Sequence, residues 1–383
     1  MGGDEDQKAG LRAGVDLRCL MDIHGSGVAT YTRLMLERLS AEAGARWRFL
    51  SFTSGFKRAV IDSGVAVNWH CAVPNILFNI ISTLNLSRAE RCFAENIDLI
   101  WQPNPLFLPP ATKPLFVTLH DISFLRYPQF FFLHTKLWYL RWVKHWLTVA
   151  PPGAYILAVS GHTRDDLLSF FPRWQGRVSV MPPPPPDSII PEKITNMEIR
   201  KQYGLNRPFI LWLSNIEPRK NLNSLLEAGK LFMKQNSDID LVLVGAGHHS
   251  YAKSALSSMG SLGGRFKYLG YVPLSHRQAI LSCAFCLVYP SYYEGFGYPP
   301  LEAMALGVPV ISAFGSSLSE VLGTAAIFID PYRGSDEILA ALKLLSEDGV
   351  IYNSYRGAGF ERIRELRQNF TVKPLLDLWQ NCV

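Results

Sequence analysis

Short apolar runs alternate with amphipathic stretches along the chain. In the first half, Ala13–Leu20, Trp47–Thr53, Ile97–Trp101, Leu115–Leu119, Tyr155–Ser160 and Val178–Met181 have the pattern expected of strands. In the second half, Phe209–Ser214, Phe285–Tyr289 and Val308–Ser312 share it, Leu241–Gly247 reads as a strand with a glycine turn at 245 and 247, and Lys267–Leu274 as a strand and turn. Between them, Val28–Leu39 places apolar residues at helical spacing, and helices are expected from about Thr163, Glu198, Asn221, Leu301 and Ile338. Strands alternating with helices predict an α/β chain whose sheets are parallel and covered on both faces. Five successive prolines, Pro182 to Pro186, force an extended, semi-rigid connector and divide the chain near residue 186.

Composition fits that outline. A chain of 383 residues accommodates two ordinary domains, and 48% hydrophobic with 18% charged residues supports well-buried cores. A net charge of +6 is mild for a nucleic-acid binder but suits an anionic nucleotide or an anionic membrane surface. The six cysteines show no disulfide-framework spacing, which points to a reducing cytoplasm. Cys283 and Cys286 spell Cys-x-x-Cys, yet they lie in the apolar lead-in to a strand, where packing outweighs zinc or redox chemistry. The polar start of the chain gives no signal peptide, no apolar run is long enough to span a bilayer, and no solenoid repeat is visible.

The stretch Ser291–Gly307 concentrates candidate chemistry. Pro290 ends a buried strand. Gly295 and Gly297 flank Phe296 in a loop, and a helix is expected from Leu301 to Leu306, with Gly307 as its stop. A strand, a glycine loop and a helix start present free N–H groups to an anionic or hydroxyl-rich ligand. Glu294 and Glu302, with seven residues between them, can each accept hydrogen bonds from paired hydroxyls. A helix-start glutamate can also do no more than complement the dipole, so the spacing alone leaves both readings open.

Other loops follow the same logic. Gly25 and Gly27 stand between a strand and a helix, where backbone approaches a phosphate or simply turns. His120 and Asp121 follow the buried run Leu115–Leu119, at the strand end where open α/β sheets collect ligands. The pair is an oriented base or a structural histidine. Arg219 and Lys220 stand on a strand-to-helix loop, as phosphate ligands or a solvated basic pair. Ser160 is placed to cap a helix. Asp238-Ile-Asp240 spells a metal motif but precedes a strand, the wrong place for that role, so no metal site is expected.

The run Glu294-Gly-Phe-Gly-Tyr-Pro-Pro-Leu-Glu302-Ala-Met-Ala-Leu-Gly-Val-Pro-Val resembles the signature of retaining GT-B glycosyltransferases of the family 4 type, also called glycosyl transferases group 1. Glu217-Pro-Arg-Lys-Asn221, Gly25-Ser-Gly27 and His120-Asp121 match the same family, and the resemblance covers nearly the whole chain. It implies two Rossmann-like domains facing a central cleft. Residues 1–186 would form the acceptor domain and 187–369 the nucleotide-sugar donor domain, with 370–383 a helix crossing back to the first. It implies that Arg219 and Lys220 bind and stabilise the leaving diphosphate, Glu294 holds sugar hydroxyls and Glu302 the ribose. His120 would contact the donor sugar with help from Asp121. Gly25, Gly27, Ser160, Tyr271, Val272, Gly295, Phe296 and Gly297 would line the substrates, Tyr271 and Val272 by their backbone near the base. No metal or other cofactor is implied.

The openings Asp22-Ile-His-Gly-Ser-Gly-Val28 and His120-Asp-Ile-Ser-Phe-Leu-Arg-Tyr-Pro128 look most like bacterial mannosyltransferases of polysaccharide and O-antigen assembly. GDP-mannose is therefore the first choice of donor, with UDP-glucose or another hexose donor second and a lipid-linked saccharide as acceptor. Rival readings are a nucleotide-sugar epimerase or hydrolase of the same fold and a non-catalytic nucleotide-sugar-binding protein. One further stretch bears on location. Residues 133–148 contain Trp138, Trp142 and Trp146 at intervals of four, interleaved with Lys136, Arg141, Lys144 and His145 and with no acid. That pattern belongs to a helix lying on an anionic membrane or to a domain helix with aromatics in the core.

Overall fold

The computed structural model describes residues 10–21, 27–54, 69–71, 88–93, 95–105, 110–187, 196–235, 238–247, 253, 256–257 and 260–383. The chain divides into two compact units. One comprises Met1–Leu125, Leu133–Pro184 and Thr371–Val383; the other comprises Arg126–Phe132 and Pro185–Phe370. The division therefore falls inside the proline run, two residues before the position expected from sequence.

The first unit is built on strands β1 (Leu11–Asp16), β2 (Trp47–Ser54), β3 (Trp69–Cys71), β4 (Leu99–Gln102), β5 (Leu115–Leu119), β6 (Ala154–Ala158) and β7 (Val178–Val180). They form one sheet in the order β3-β2-β1-β4-β5-β6-β7, with every pairing parallel. β4 and β5 are buried along their whole length, as strands covered on both faces must be. β1 ends four residues short of the expected Leu20, because Asp16 turns its carboxylate onto the Arg18 amide and guanidinium and the chain winds into a 3-10 turn at Arg18–Met21. The helix Lys373–Cys382 belongs to this unit: Trp379 is fully buried, with ring centroids 5.6 Å from Trp47, 6.0 Å from Trp101 and 5.9 Å from Phe116.

The second unit carries β8 (Phe209–Leu213), β9 (Asp240–Val244), β10 (Phe266–Tyr268), β11 (Cys286–Tyr289), β12 (Val310–Ala313) and β13 (Ile327–Ile329), in the order β10-β9-β8-β11-β12-β13 and again all parallel. The chain moves one way across the sheet after β8 and the other way after β11. The loops leaving these central strands diverge, which is the place where open α/β sheets bind ligands. Cys283 and Cys286 are buried free thiols in the core, as packing predicts. Asp240 is buried between Arg207 and Arg265, at 3.8 and 3.7 Å, a structural acid at the start of its strand.

The basic aromatic stretch is helical but not one regular α-helix. Leu133–Trp138 and His145–Val149 are α, and Tyr139–Lys144 between them is a π-helix. The wider π-turn breaks the four-residue tryptophan stripe. Trp146 stacks on Trp174 at 5.6 Å and Trp142 is half-buried. The exposed residues are instead Leu133, Leu137 and Trp138, followed by Arg141, Lys144 and His145. Among the described residues, no helix is long and apolar enough to cross a membrane.

Candidate active site

The loops after β8 and β11 bring three of the expected residues together. Beyond β8, Pro218–Lys220 forms a 3-10 turn, closed by Asn221 in the left-handed region at φ 53°. Asparagine tolerates that conformation because its short amide bonds locally; here it donates to the Pro331 carbonyl at 3.0 Å and accepts from the Ser224 hydroxyl at 2.8 Å. The turn aims Arg219 and Lys220 at the β11 loop, and the Arg219 carbonyl accepts from the Tyr292 amide at 2.9 Å.

Glu294 receives both cations. Lys220 Nζ donates to Oε1 at 2.5 Å, and Arg219 Nη1 donates to Oε2 at 3.2 Å. Arg219 also donates through Nε to Glu217 at 2.9 Å and through Nη1 to the Tyr293 carbonyl at 3.3 Å. The Lys220 ammonium lies 3.4 Å from the Tyr289 hydroxyl and 5.5 Å from its ring centroid. The Glu294 backbone is held as well: its amide donates to Ser316 Oγ at 3.2 Å, and its carbonyl accepts from Ser317 Oγ at 2.9 Å. Ser316 has φ 48° and Asn221 φ 53°, the only two non-glycine residues at positive φ among those described, and both adjoin this cluster. Backbone strain gathers where a side-chain arrangement is over-determined by its surroundings.

Electrostatics follow from burial. Lys220 and Glu294 are each 6% exposed. Burial alone raises the Glu294 carboxyl, but the Lys220 and Arg219 charges outweigh it and bring it down to about 2. Burial and the Arg219 charge push Lys220 down, with Glu294 opposing them. Burial likewise pushes the Tyr289 phenol well up. The cluster is thus two cations facing Glu294 and Glu217.

The glycine loop works by close approach. Gly297 has φ 89°, and a Cβ there would lie 2.4 Å from a Leu318 methyl. Gly295 and Phe296 complete the loop, with Phe296 packed against the core. The helix begins at Tyr298, three residues before the expected start, and runs to Ala305. Pro299 and Pro300 fall in its first turn, where a missing N–H is no loss. Gly307 at φ 69° ends it as expected. Glu302 sits on this helix, 5% exposed, and joins Arg277 at 2.6 Å rather than the Glu294 cluster. Tyr271 is 49% exposed and Val272 buried, in the turn before the helix Leu274–Ser282.

The remaining expected residues lie in the first unit. His120 Nε2 is 2.7 Å from the Pro103 carbonyl, and its ring meets Tyr31 edge-on at 5.0 Å. The oriented His–Asp pair is not formed, because the Asp121 carboxylate accepts from the Ser123 amide at 3.0 Å and hydroxyl at 2.5 Å instead. Burial lowers the His120 pKa. Ser160 caps the helix Gly161–Phe170, accepting from the Thr163 amide at 3.0 Å. Gly27 opens the helix Gly27–Ala43 and is exposed. Gly25 lies outside the described residues. Sequence reasoning missed Glu217, Tyr289, Ser316, Ser317 and Arg277. Glu217 stood inside a motif, Tyr289 at the end of an expected strand and Ser316 and Ser317 in the loop before the next helix, but none was given a role; Arg277 lay outside every quoted stretch. Among the described residues, no cluster of His, Cys, Asp and Glu has the makeup of a metal site.

Comparison with known proteins agrees with this architecture. Residues 195–362 match the family Glycosyl transferases group 1. The chain is 32% identical over 291 residues to O-antigen chain mannosyltransferase B of Escherichia coli, covering 74% of this chain and 72% of that protein. It superposes on the sucrose-phosphate synthase of Thermosynechococcus elongatus with a TM-score of 0.70 at 20% identity, covering 97% of this chain and 98% of that one. It also superposes on Anabaena Alr3699/HepE, solved with UDP and glucose, with a TM-score of 0.68 at 17% identity, covering 96% and 99%. The chain belongs to the group 1 glycosyl transferases and has the GT-B fold of two Rossmann-like domains. It is a glycosyltransferase resembling bacterial mannosyltransferases.

Proposed function

We propose that this chain transfers mannose from GDP-mannose, with retention and without a metal or other cofactor, to a saccharide or lipid-linked saccharide in cell-surface polysaccharide synthesis. The observation that carries the reading is the convergence of Arg219, Lys220 and Glu294 at the divergent loops after β8 and β11. The likeness to an O-antigen mannosyltransferase supports the choice of sugar.

In this reading Arg219 and Lys220 turn from Glu294 toward the donor diphosphate and stabilise charge on it as the glycosidic bond breaks, fixed donors aimed at developing charge. Glu294, released from part of its ion pairing, accepts from sugar hydroxyls. The glycine loop lets the backbone approach the donor, and Glu302 accepts from the ribose. For His120 we keep the role the resemblance implies, contact with the donor sugar. The turn at Tyr271 and Val272 meets the base. A leaving phosphate oxygen takes the acceptor proton.

We further assign the chain to the cytoplasmic face of the membrane. Leu133, Leu137 and Trp138 are exposed beside Arg141 and Lys144, and no acid occurs from Ile122 to Arg164. An apolar patch flanked by cations complements an anionic lipid surface. Flotation with anionic vesicles, set against neutral ones, tests this; equal recovery with both contradicts it.

A thermal-shift panel with GDP, UDP, dTDP and their sugar conjugates tests the donor. Ligands that bind the native state raise the melting temperature by mass action. Selective stabilisation by GDP and GDP-mannose is expected. Stabilisation by UDP species alone keeps the transferase and overturns the donor, and no shift with any of them overturns the nucleotide-sugar site.

A further inference from the structure

Glu302 is a buried carboxylate paired with the half-buried Arg277. Arg277 Nη2 donates to Glu302 Oε1 at 2.6 Å. The Glu302 side chain is 6% exposed and that of Arg277 23%. Yet Glu302 Oε2 and Arg277 Nε are both buried without a hydrogen-bond partner among the described residues. The Asp240–Arg265 pair also leaves Asp240 Oδ1 buried without a hydrogen-bond partner among the described residues, so it is the place of the Glu302 carboxylate, on the helix that follows the glycine loop, that sets this pair apart. A carboxylate with one oxygen taken by a guanidinium keeps the lone pairs of the other for hydroxyl donors.

The surroundings place this pair beside the turn that faces the nucleoside in the reading above. Gly270 at φ 66°, Tyr271 and Val272 lead into Pro273, whose carbonyl accepts from the Arg277 amide at 2.9 Å. Arg277 thus stands one helical turn beyond the turn assigned to the base. Glu302 stands on the helix that follows the glycine loop, in a stretch where every residue from Pro300 to Ala305 is buried.

We propose that Arg277 is the positioning residue for ribose recognition: it fixes Glu302 through Oε1 and leaves Oε2 to accept from the vicinal hydroxyls of the donor ribose. The proposal rests on the nucleotide-sugar reading and adds to it a residue outside every motif of the sequence.

The experiment measures the affinities of GDP and 2′,3′-dideoxy-GDP, by calorimetry, for the full chain and for R277M, R277Q and R277K. The wild type should bind GDP roughly 10-fold or more tighter than the dideoxy analogue. R277M should weaken GDP by roughly 30-fold and the analogue far less, so that the ratio between them falls toward unity. R277K should restore part of that ratio. R277Q, nearer in shape and polarity, serves if R277M does not fold. Wild-type affinity and an undiminished ratio in R277M or R277Q would overturn the proposal while leaving the transferase reading intact. A wild type that binds both ligands equally would overturn ribose recognition by this pair. Where the wild type binds UDP and not GDP, the same comparison is made with UDP and 2′,3′-dideoxy-UDP; a wild type that binds neither nucleotide would overturn the nucleotide-sugar reading itself, and this proposal with it.

Discussion

Lys220 and Glu294 form a buried ion pair, Nζ to Oε1 at 2.5 Å, that ties the loop after β8 to the loop after β11. Both are barely exposed, so neither can lose its partner cheaply. Lys220→Met should lower the stability of the second unit by about 3 kcal/mol, because the Glu294 carboxylate would remain buried with only Arg219 to balance it. Urea denaturation checks this. A change below about 0.5 kcal/mol would mean that the site is wetter than its geometry shows.

The same pair sets an acid limit. The folded carboxyl of Glu294 lies below its usual 4.5, at about 2. A depressed carboxyl contributes stability that is complete above the unfolded value and is lost as pH falls through the folded one. Wild-type stability should therefore decline between about pH 4.5 and 2 by a contribution of order 3 kcal/mol that Glu294→Gln lacks. Denaturation midpoints across that range, in both proteins, should converge at the acid end. Parallel curves would contradict the assigned charge state.

Two glycines separate conformational need from ligand approach. Gly297→Ala forces positive φ on an L-residue and drives a Cβ to 2.4 Å from Leu318. A loss of roughly 2 kcal/mol and of transfer activity should follow. Gly27→Ala meets nothing within 4 Å. It should leave stability within about 0.5 kcal/mol, and lose donor or acceptor affinity only if the backbone approaches the substrate there. Melting curves paired with donor titrations distinguish the two cases.

Trp379 tests where the last helix belongs. It lies between Trp47, Trp101 and Phe116 of the first unit. Trp379→Ala should destabilise that unit by about 3–5 kcal/mol through the cavity it leaves. Hydrogen exchange should show the loss in β4 and β5 and not in β8 or β11. Equal loss in both units would contradict the assignment.

Much of this was readable from the chain because local chemistry and fold agree. β5 was legible to the residue, since Leu115–Leu119 is apolar except for Thr118 and is bounded by Pro114 and His120. The Glu294 loop was legible because prolines and glycines mark its turns and its carboxylate stands in a specific motif. The start of the Tyr298–Ala305 helix was not, because Pro299 and Pro300 read as breakers unless they are placed in a first turn. The tryptophan stripe misled because a π-helix changes the period that sequence reasoning assumes. Asp121 misled because its nearest polar donors proved to be at Ser123, not His120. Arg277 left no signal: it is one charge on an ordinary helix, and only packing against Glu302 gives it meaning.

The central claim is that Glu294, with Arg219 and Lys220, runs mannosyl transfer from GDP-mannose. The most direct measurement is product formation from GDP-mannose and a lipid-linked or mannan oligosaccharide acceptor, by wild type and by Glu294→Ala, with the fold of each checked by circular dichroism. The account predicts transfer by the wild type with retained configuration at the mannosyl carbon, and a loss of roughly 100-fold or more in the variant. Undiminished transfer by Glu294→Ala, or transfer from UDP-hexoses but not from GDP-mannose, would contradict it.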